Sequence, residues 1–209
     1  IWAAPGHEFV QADYSGIEGA VIAWLAGEGW KLKAMREIIE DPSQPDMYRR
    51  TAAAILNLPV EVVDKKHWAR QAVGKVAELA LGFQGSVSAF YAMARGYGVD
   101  LTGIYPPIWD QADAEQREKS ERRFYNAEKR GVATAAALGR EAWIACDIVK
   151  DGWRQQNAAI AQSWRDAEAA AREAIENPGV VTEAARCQYV VRLGFLWMRL
   201  PSGRCLAFG

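Results

Sequence analysis

The chain has 209 residues, of which 50% are apolar and nine are tryptophan, enough for one globular domain with a sizeable core. Its 25 basic and 26 acidic side chains leave a net charge of −1, so no global basic field attracts nucleic acid and any such affinity must be local. The three cysteines and two histidines lack paired metal spacing, which excludes a Cys/His zinc site and predicts free thiols in a reducing cytoplasm. No apolar run approaches the roughly 18 residues of a membrane span, and no signal peptide is visible. The chain begins at Ile1 rather than at methionine, which suggests an excerpt.

The first predicted elements are a strand and a long helix. The segment "HEFVQAD", His7 to Asp13, is expected to be a strand that ends on a carboxylate. A helix is expected from about Gly16 to Glu40, where "DPSQPD" contains two prolines that block its continuation. The Ala-rich "MYRRTAAAILN", Met47 to Asn57, predicts a short helix.

The middle of the chain is predicted to be almost wholly helical. A long helix is expected to end at about Phe83, and a further helix to span Val87 to Arg95. Gly96 to Pro107 is predicted to be a loop, and Asp110 to Asn177 to be helical. The charge-rich part between Asp110 and Arg140 is expected to be a solvated helix.

After Asn177 the pattern changes to the alternation that is typical of strands. "CQYVVRLGFLWMRL" predicts one or two strands, "PSG" a tight turn and "RCLAF" a returning strand. Because strands are predicted at both ends of the chain, we expect them to pair in one sheet from which the helices project. The predicted fold class is α+β, mainly α with a small antiparallel β portion.

A lone carboxylate, Asp13, stands where the first predicted strand ends, and Tyr14, Ser15 and Gly16 form the turn into the helix. A carboxylate and a nearby backbone carbonyl at such a turn can bind magnesium, a hard ion that prefers oxygen ligands. Asp13 and Ser15 can equally cap the helix, which is the more common role of these residue types. From the residues alone, both interpretations remain open.

The segment "HWARQAVGKVAELALGFQG" predicts a helix with a cationic start. Counting in fours from Gln71 gives Lys75, Leu79 and Phe83 on one stripe, and Arg70 adds a second cation beside Lys75. A lysine supplies a point charge and an arginine a donor fork, which suits a triphosphate, while an aromatic lower down can meet a base face. A solvated basic helix with a core stripe is the alternative.

Two glycines, Gly74 and Gly82, interrupt the same helix. Glycine is a poor helix former, so its presence suggests that another group approaches the backbone closely. A strand-end aspartate and a glycine-marked cationic helix are together the parts of a phosphoryl-transfer site, where one orients metal and the other holds phosphates.

Four segments together resemble the motifs of family A DNA polymerases, the bacterial DNA polymerase I type. "ADYSGIEGAVIAWLAGE" resembles their first motif, D-Y-S-Q-I-E-L-R, and "RQAVGKVAELALGFQGSVSAF" resembles the fingers helix, K-x3-[FY]-x3-Y-G, in the version of bacteriophage and prophage enzymes. "DMYRRTAAAILNLP" is similar to D-I-H-x-x-T-A-x-x-x-F-G-x-P, and the tail "MRLPSGRCLAF" to the phage palm hairpin. The resemblance keeps order and spacing over most of the chain, except for about Gly96 to Arg140.

The resemblance assigns roles to the residues that match these motifs. Asp13 corresponds to the metal-binding catalytic aspartate and the Tyr14 carbonyl to its companion ligand, for one of two Mg²⁺ ions in the complete enzyme. Glu18 corresponds to the glutamate that packs against the incoming sugar and excludes a 2′-hydroxyl. Lys75 corresponds to the catalytic lysine that binds the triphosphate.

Other matched positions carry a different residue from the family pattern. Gln71 stands where a phosphate-binding arginine is expected, with Arg70 one residue earlier, so either is a candidate for that contact. Leu79 replaces the aromatic beside the nucleotide, and Phe83 replaces the tyrosine at the template base. Tyr48 stands at a usual histidine of the nucleotide site.

The resemblance implies a palm strand over residues 1–15, a helical fingers region over 16–177 with an insert at about 96–140, and a partial palm hairpin over 178–209. It implies a DNA primer-template, deoxynucleoside triphosphates and the rest of the polymerase chain as partners, in the cytoplasm of a bacterial host. The third motif, a His-Asp-Glu turn with the second metal-binding aspartate, has no match before Gly209, so this chain alone is expected to be inactive. The alternatives are a nucleotide- or template-binding module and a degenerate prophage remnant without catalysis.

Overall fold

The structure, a computed structural model, describes residues 2–12, 14 and 16–209. In this part of the chain a helical region precedes a four-stranded antiparallel sheet, which confirms the α+β class. The helices are α1 (Ile17–Ala26), α2 (Gly29–Glu40), α3 (Met47–Ile55), a π-helical segment (Arg70–Lys75), α4 (Val76–Leu81), α5 (Val87–Gly96), a 3₁₀ turn (Thr102–Ile104), α6 (Tyr105–Gln111), α7 (Ala114–Lys129), α8 (Ala133–Gln156) and α9 (Ala158–Glu176). The strands are β1 (Thr182–Ala184), β2 (Cys187–Arg192), β3 (Phe195–Arg199) and β4 (Cys205–Phe208).

The predicted N-terminal strand is wrong for residues 7–12, which carry no strand. The side chains of Phe9 and Val10 are 66% and 89% exposed, so no neighbouring strand or core covers them. An extended segment becomes a strand only when another strand satisfies its backbone groups, and here the sheet of the described residues is built from β1 to β4 alone. The predicted pairing of the two ends of the chain is therefore also absent among these residues.

The helix predicted from Gly16 to Glu40 is two helices that meet at Gly27. Gly27 has φ 75°, and its N–H donates to the carbonyls of Ala23 and Trp24, which ends α1. The next residue, Glu28, accepts hydrogen bonds from two backbone N–H groups at the start of α9, at 2.8 and 3.2 Å. The buried Glu28 carboxylate complements the positive end of the α9 dipole and connects the α1–α2 turn to the start of α9.

The main core surrounds the second half of α8. Trp153, Ile144 and Val149 of α8 are fully buried, together with Phe90 of α5 and Leu81 of α4. The chain departs from helical geometry inside α8 at Gly139, which has φ 69°. The predicted helical stretch from Asp110 to Asn177 is therefore observed as several helices, of which α8 is the central one.

The charge-rich insert is packed against α8 and is not simply a solvated helix as predicted. Phe124 and Ala127 of α7 are buried, and the carboxylate of Asp147 on α8 accepts hydrogen bonds from Ser120 and Arg123 at 2.9 and 3.0 Å. Burial alone would raise the pKa of the nearby Asp151 carboxyl, but its hydrogen bond from Lys119 and the charges of Lys150 and Arg123 outweigh burial and lower it. These ion pairs fasten α7 to the core helix.

The C-terminal strands form the predicted turns and hairpins, preceded by the short β1, which the sequence did not indicate. The four strands are sequential antiparallel neighbours, with Tyr189 opposite Met198 and Met198 opposite Leu206. Helix α9 packs through Ala170 and Ala174 on the face of the sheet that carries Tyr189 and Met198, and these residues form a second, smaller core. All three cysteines lie in the described part and are free thiols. None of the described helices combines the length and apolar composition that crossing a membrane requires.

Candidate functional site

A cavity of about 540 Å³ opens between α1, α2, α3, α4 and α5. This volume is within the range of small-molecule sites, which are mostly apolar with a few polar groups that fix orientation. The residues that line it are Gly16, Glu18, Gly19, Ala20, Ile22, Lys31, Met35, Ile38, Ile39, Asp46, Met47, Tyr48, Glu78, Leu79, Gly82, Phe83, Met93 and Tyr97.

The cavity brings together four residues that the sequence analysis selected from three separate segments. Glu18 comes from the first turn of α1, Tyr48 from the first turn of α3, Leu79 from α4, and Phe83 from the turn after α4. Phe83 is 71% exposed, so its ring stands free at the wall of the cavity. Their convergence is a property of the fold, whereas their roles remain predictions.

Arg70 reaches the α3 wall of the cavity. Its Nε donates to Asp46 Oδ2 at 3.0 Å, and its guanidinium lies 5.5 Å from the centre of the Tyr48 ring. The segment Arg70–Lys75 is π-helical. In a π-helix, backbone hydrogen bonds join residues five apart, so counting in fours, as for an α-helix, does not give the residues that share a face here. The sequence count assumed an α-helix and placed Gln71 on the stripe of Lys75; Gln71 is half-buried and, like Arg70 and Lys75, is not among the described residues that line the cavity.

Lys75 lies next to a residue of the cavity wall and is not itself among the described residues that line the cavity. Its Nζ is 3.9 Å from the centre of the Tyr97 ring, and Tyr97 lines the cavity from the end of α5. A cation held over an aromatic face keeps its charge and two or more free N–H donors. Arg70 and Lys75 thus place two positive charges next to two residues of the cavity wall, Tyr48 and Tyr97.

Tyr48 contributes a phenol to the same wall. Burial raises the pKa of Tyr48, the neighbouring Tyr97 and Glu78 raise it further, and the charge of Arg70 opposes them. The hydroxyl is therefore neutral at physiological pH and can both donate and accept hydrogen bonds.

The group that approaches Gly74 closely is another helix. A Cβ at Gly74 would lie 1.9 Å from the carbonyl oxygen of Tyr48, so the group that approaches this backbone is helix α3. A Cβ at Gly82 would be 3.7 Å from its nearest neighbour, the Glu78 carbonyl oxygen, which is an ordinary van der Waals distance. Gly74 is thus required for the close contact between its own helical segment and α3, the helix on which Tyr48 lines the cavity.

The turn that presents Phe83 is tightly constrained. Gln84 has φ 61°, a conformation that is uncommon for a residue with a side chain, and a Cβ at Gly85 would lie 2.0 Å from the Ala80 carbonyl oxygen. Arg154 of α8 donates to the Gly85 carbonyl at 3.1 Å. Helix α8 therefore helps to fix the position of Phe83.

The predicted metal ligands fall largely outside the described residues. Asp13 and Ser15 both do, so neither the metal-ligand nor the helix-cap interpretation is tested there. The Tyr14 carbonyl accepts a hydrogen bond from the Ile17 N–H at 3.4 Å, which leaves a lone pair for another partner. A carboxylate and a backbone carbonyl are oxygen donors of the type that suits magnesium. Within the described residues, no three His, Cys, Asp or Glu side chains cluster closely enough to hold a metal.

The chain is similar to a phage DNA polymerase. It is 33% identical to the DNA polymerase of Bacillus phage SP02 over 203 residues, which are 97% of this chain. The chain spans about a quarter of the length of that relative, 24%. No protein-family model matches the chain, and no solved structure matches it.

Sequence reasoning missed four residues that the cavity depends on. Asp46 fixes Arg70, Tyr97 holds Lys75, and Lys31 with Glu78 forms a buried ion pair in the cavity wall. A signal was available for Glu78, because a carboxylate beside Leu79 interrupts an otherwise apolar helix. No local pattern indicates its partner Lys31, which is 47 residues earlier in the chain.

Proposed function

We propose that this chain is the fingers with a C-terminal part of the palm of a phage-type family A DNA polymerase, which adds deoxynucleotides to a primer 3′ end on a DNA template. The single observation that carries the proposal is the cavity in which Glu18, Tyr48, Leu79 and Phe83 converge, flanked by the cations of Arg70 and Lys75. The similarity to a DNA polymerase over nearly the whole chain supports it independently.

In this proposal the described residues bind and orient the incoming nucleotide. Lys75 and Arg70 contact the triphosphate through charge-assisted hydrogen bonds. Glu18 packs against the sugar, and Tyr48, Leu79 and Phe83 form the walls beside the sugar and the base. Asp13 and the Tyr14 carbonyl would hold Mg²⁺, which on binding would stabilise charge on the reacting phosphoryl oxygens.

Lys75→Ala is the experiment that tests the proposal. It should weaken deoxynucleoside triphosphate binding by about tenfold or more, because a hydrogen bond to a charged group contributes about 1.5–3 kcal/mol. The measurement is calorimetric titration of the complete polymerase proposed to contain this chain. Lys33→Ala is the control, since the Lys33 side chain is 80% exposed on α2 and its nearest carboxylate, Glu37 Oε1, is 3.9 Å away. Unchanged affinity in the Lys75 variant would mean that the helical segment that carries Lys75 is not part of the active site.

Glu18→Ala should increase ribonucleotide incorporation relative to deoxynucleotide incorporation. The expectation rests on the position of Glu18 in the first turn of α1, where it lines the cavity together with Leu79 and Phe83. Single-nucleotide incorporation assays on the same polymerase give the ratio, with Glu40→Ala at the end of α2 as the control. A ratio that stays flat would mean that sugar selection lies elsewhere.

The 209-residue chain alone should not extend a primer. Nucleotidyl transfer of this type uses two metal ions that stabilise the attacking and the leaving oxygen, and this sequence offers one candidate carboxylate, Asp13. A net charge of −1 also gives little electrostatic attraction to a duplex. Primer-extension gels with magnesium and then with manganese test this. Template-dependent extension by the purified chain would show that a second catalytic carboxylate lies within it.

The alternative is a module that binds nucleotide or template without catalysis. The incorporation assay separates the two, because a binding module retains Lys75-dependent affinity for the nucleotide while the protein that contains it shows no incorporation.

A further inference from the structure

A buried ion pair forms part of the wall of the cavity. Lys31 Nζ of α2 lies 2.5 Å from Glu78 Oε2 of α4, and the two side chains are 1% and 6% exposed. The other carboxylate oxygen of Glu78 accepts from Thr51 Oγ1 at 2.8 Å and from Trp153 Nε1 at 3.0 Å. The Lys31 ammonium also donates to Asn157 at 3.4 Å. The pair therefore joins α2, α3, α4 and α8 at one point.

This pair lies between the two helices that carry the proposed nucleotide contacts. Glu78 immediately precedes Leu79 on α4, and both line the cavity. On the other side, a Cβ at Gly19 would lie 3.8 Å from Lys31 Cε, so the lysine stem passes beside the residue that follows Glu18. A shift of either charged side chain would therefore alter the distance across the cavity between Glu18 and Leu79.

Stability alone does not account for such a pair. The desolvation of two buried charges offsets most of their attraction, and replacing a buried ion pair with neutral residues of similar volume is often neutral or stabilising. Charged partners do, however, permit only a narrow range of geometries, since any displacement leaves a buried charge unsatisfied. The pair is suited to fix a distance between helices.

We propose that Lys31 and Glu78 are positioning residues that hold α1 and α4 at the separation needed to discriminate deoxyribose from ribose. The inference rests on the proposed function, because it takes Glu18 and Leu79 as walls of the nucleotide site. Neither charged group needs to touch the nucleotide, because Lys31 and Glu78 act through the helices that they connect.

The double variant Lys31→Met/Glu78→Gln separates positioning from stability. Methionine keeps the length of the lysine stem, and glutamine keeps an oxygen for Thr51 and Trp153, so the variant should unfold near the wild-type temperature. Discrimination between a deoxynucleoside and a ribonucleoside triphosphate should nevertheless fall by about tenfold in the polymerase proposed to contain this chain, because a displacement of about 1 Å at a reacting geometry can cost a hundredfold. The control is Glu168→Gln/Arg172→Met, which removes an exposed ion pair of α9.

The outcomes are distinguishable. A folded double variant with wild-type discrimination would overturn the positioning role while leaving the proposed function intact. A wild-type protein that binds neither nucleotide would overturn the proposed function itself. Loss of discrimination at unchanged thermal stability, with the α9 control unaffected, is the result that we expect. If the double variant unfolded early, the single variant Glu78→Gln would provide the test, since it removes the ion pair while keeping an oxygen for Thr51 and Trp153, and wild-type discrimination in that folded variant would also contradict the inference.

Discussion

Replacing Lys31 alone with methionine should lower the free energy of unfolding of the 209-residue chain by about 3–5 kcal/mol. The substitution leaves the Glu78 carboxylate buried without its counter-charge, although Thr51 and Trp153 still donate to it. Methionine occupies most of the volume of the lysine stem, so an empty cavity contributes little to the loss. The cost is therefore electrostatic.

Urea denaturation at constant pH measures this effect, and α2 offers a matched control. Lys33 lies on the same helix, is 80% exposed and has only a distant partner, Glu37 Oε1 at 3.9 Å. Lys33→Met should change stability by less than about 1 kcal/mol, as exposed ion pairs contribute little. Adding Glu78→Gln to Lys31→Met should recover most of the lost stability, because no unpaired charge then remains. Equal urea midpoints for Lys31→Met and the wild-type chain would contradict the buried pair.

Gly74→Ala should destabilise the chain by about 3 kcal/mol or more, at or above the upper end of the usual cost of overpacking. The new Cβ would lie 1.9 Å from the carbonyl oxygen of Tyr48 and 2.8 Å from its carbonyl carbon. These are backbone atoms of α3, so no side-chain rotation can relieve the clash and the two helices must separate. Tyr48 and its contact with Arg70 would move with α3.

Gly82→Ala is the control for this prediction. Gly82 has helical geometry with φ −60°, and the nearest atom to a new Cβ is 3.7 Å away. Alanine should therefore leave stability unchanged or raise it by up to about 1 kcal/mol through its better helix propensity. Chemical denaturation of both variants provides the comparison. If Gly74→Ala were as stable as Gly82→Ala, the close approach of α3 would be incorrect.

Much of the local structure could be predicted from the sequence because it depends on neighbouring residues. The prolines of "DPSQPD" end α2 at Glu40, and Asp46 caps the start of α3. The helix from Val87 and the strands around the "PSG" turn also follow their patterns, since 3.6-residue and two-residue periodicities carry that information. The motif residues Glu18, Tyr48, Leu79 and Phe83 were likewise available from the sequence, and the cavity unites them.

Other features required contacts between distant parts of the chain. The helix boundary at Gly27 accompanies the hydrogen bonds of Glu28 to the start of α9, and the strand expected over residues 7–12 is absent where no other strand pairs with it. The π-helical segment lies against α3, and Arg70 of this segment contacts Asp46 and Tyr48.

The sequence by itself determined the helical character, the C-terminal hairpins and the residues from which a nucleotide site could be built, because each is encoded in local periodicity or in a short motif. Only the tertiary structure decided how those residues meet. Lys31 is buried because Glu78 lies opposite it, and Gly74 is needed because Tyr48 packs on it. Neither requirement is visible in either segment alone, since the energy of a buried charge or of a close backbone contact depends on the partner that folding brings to it.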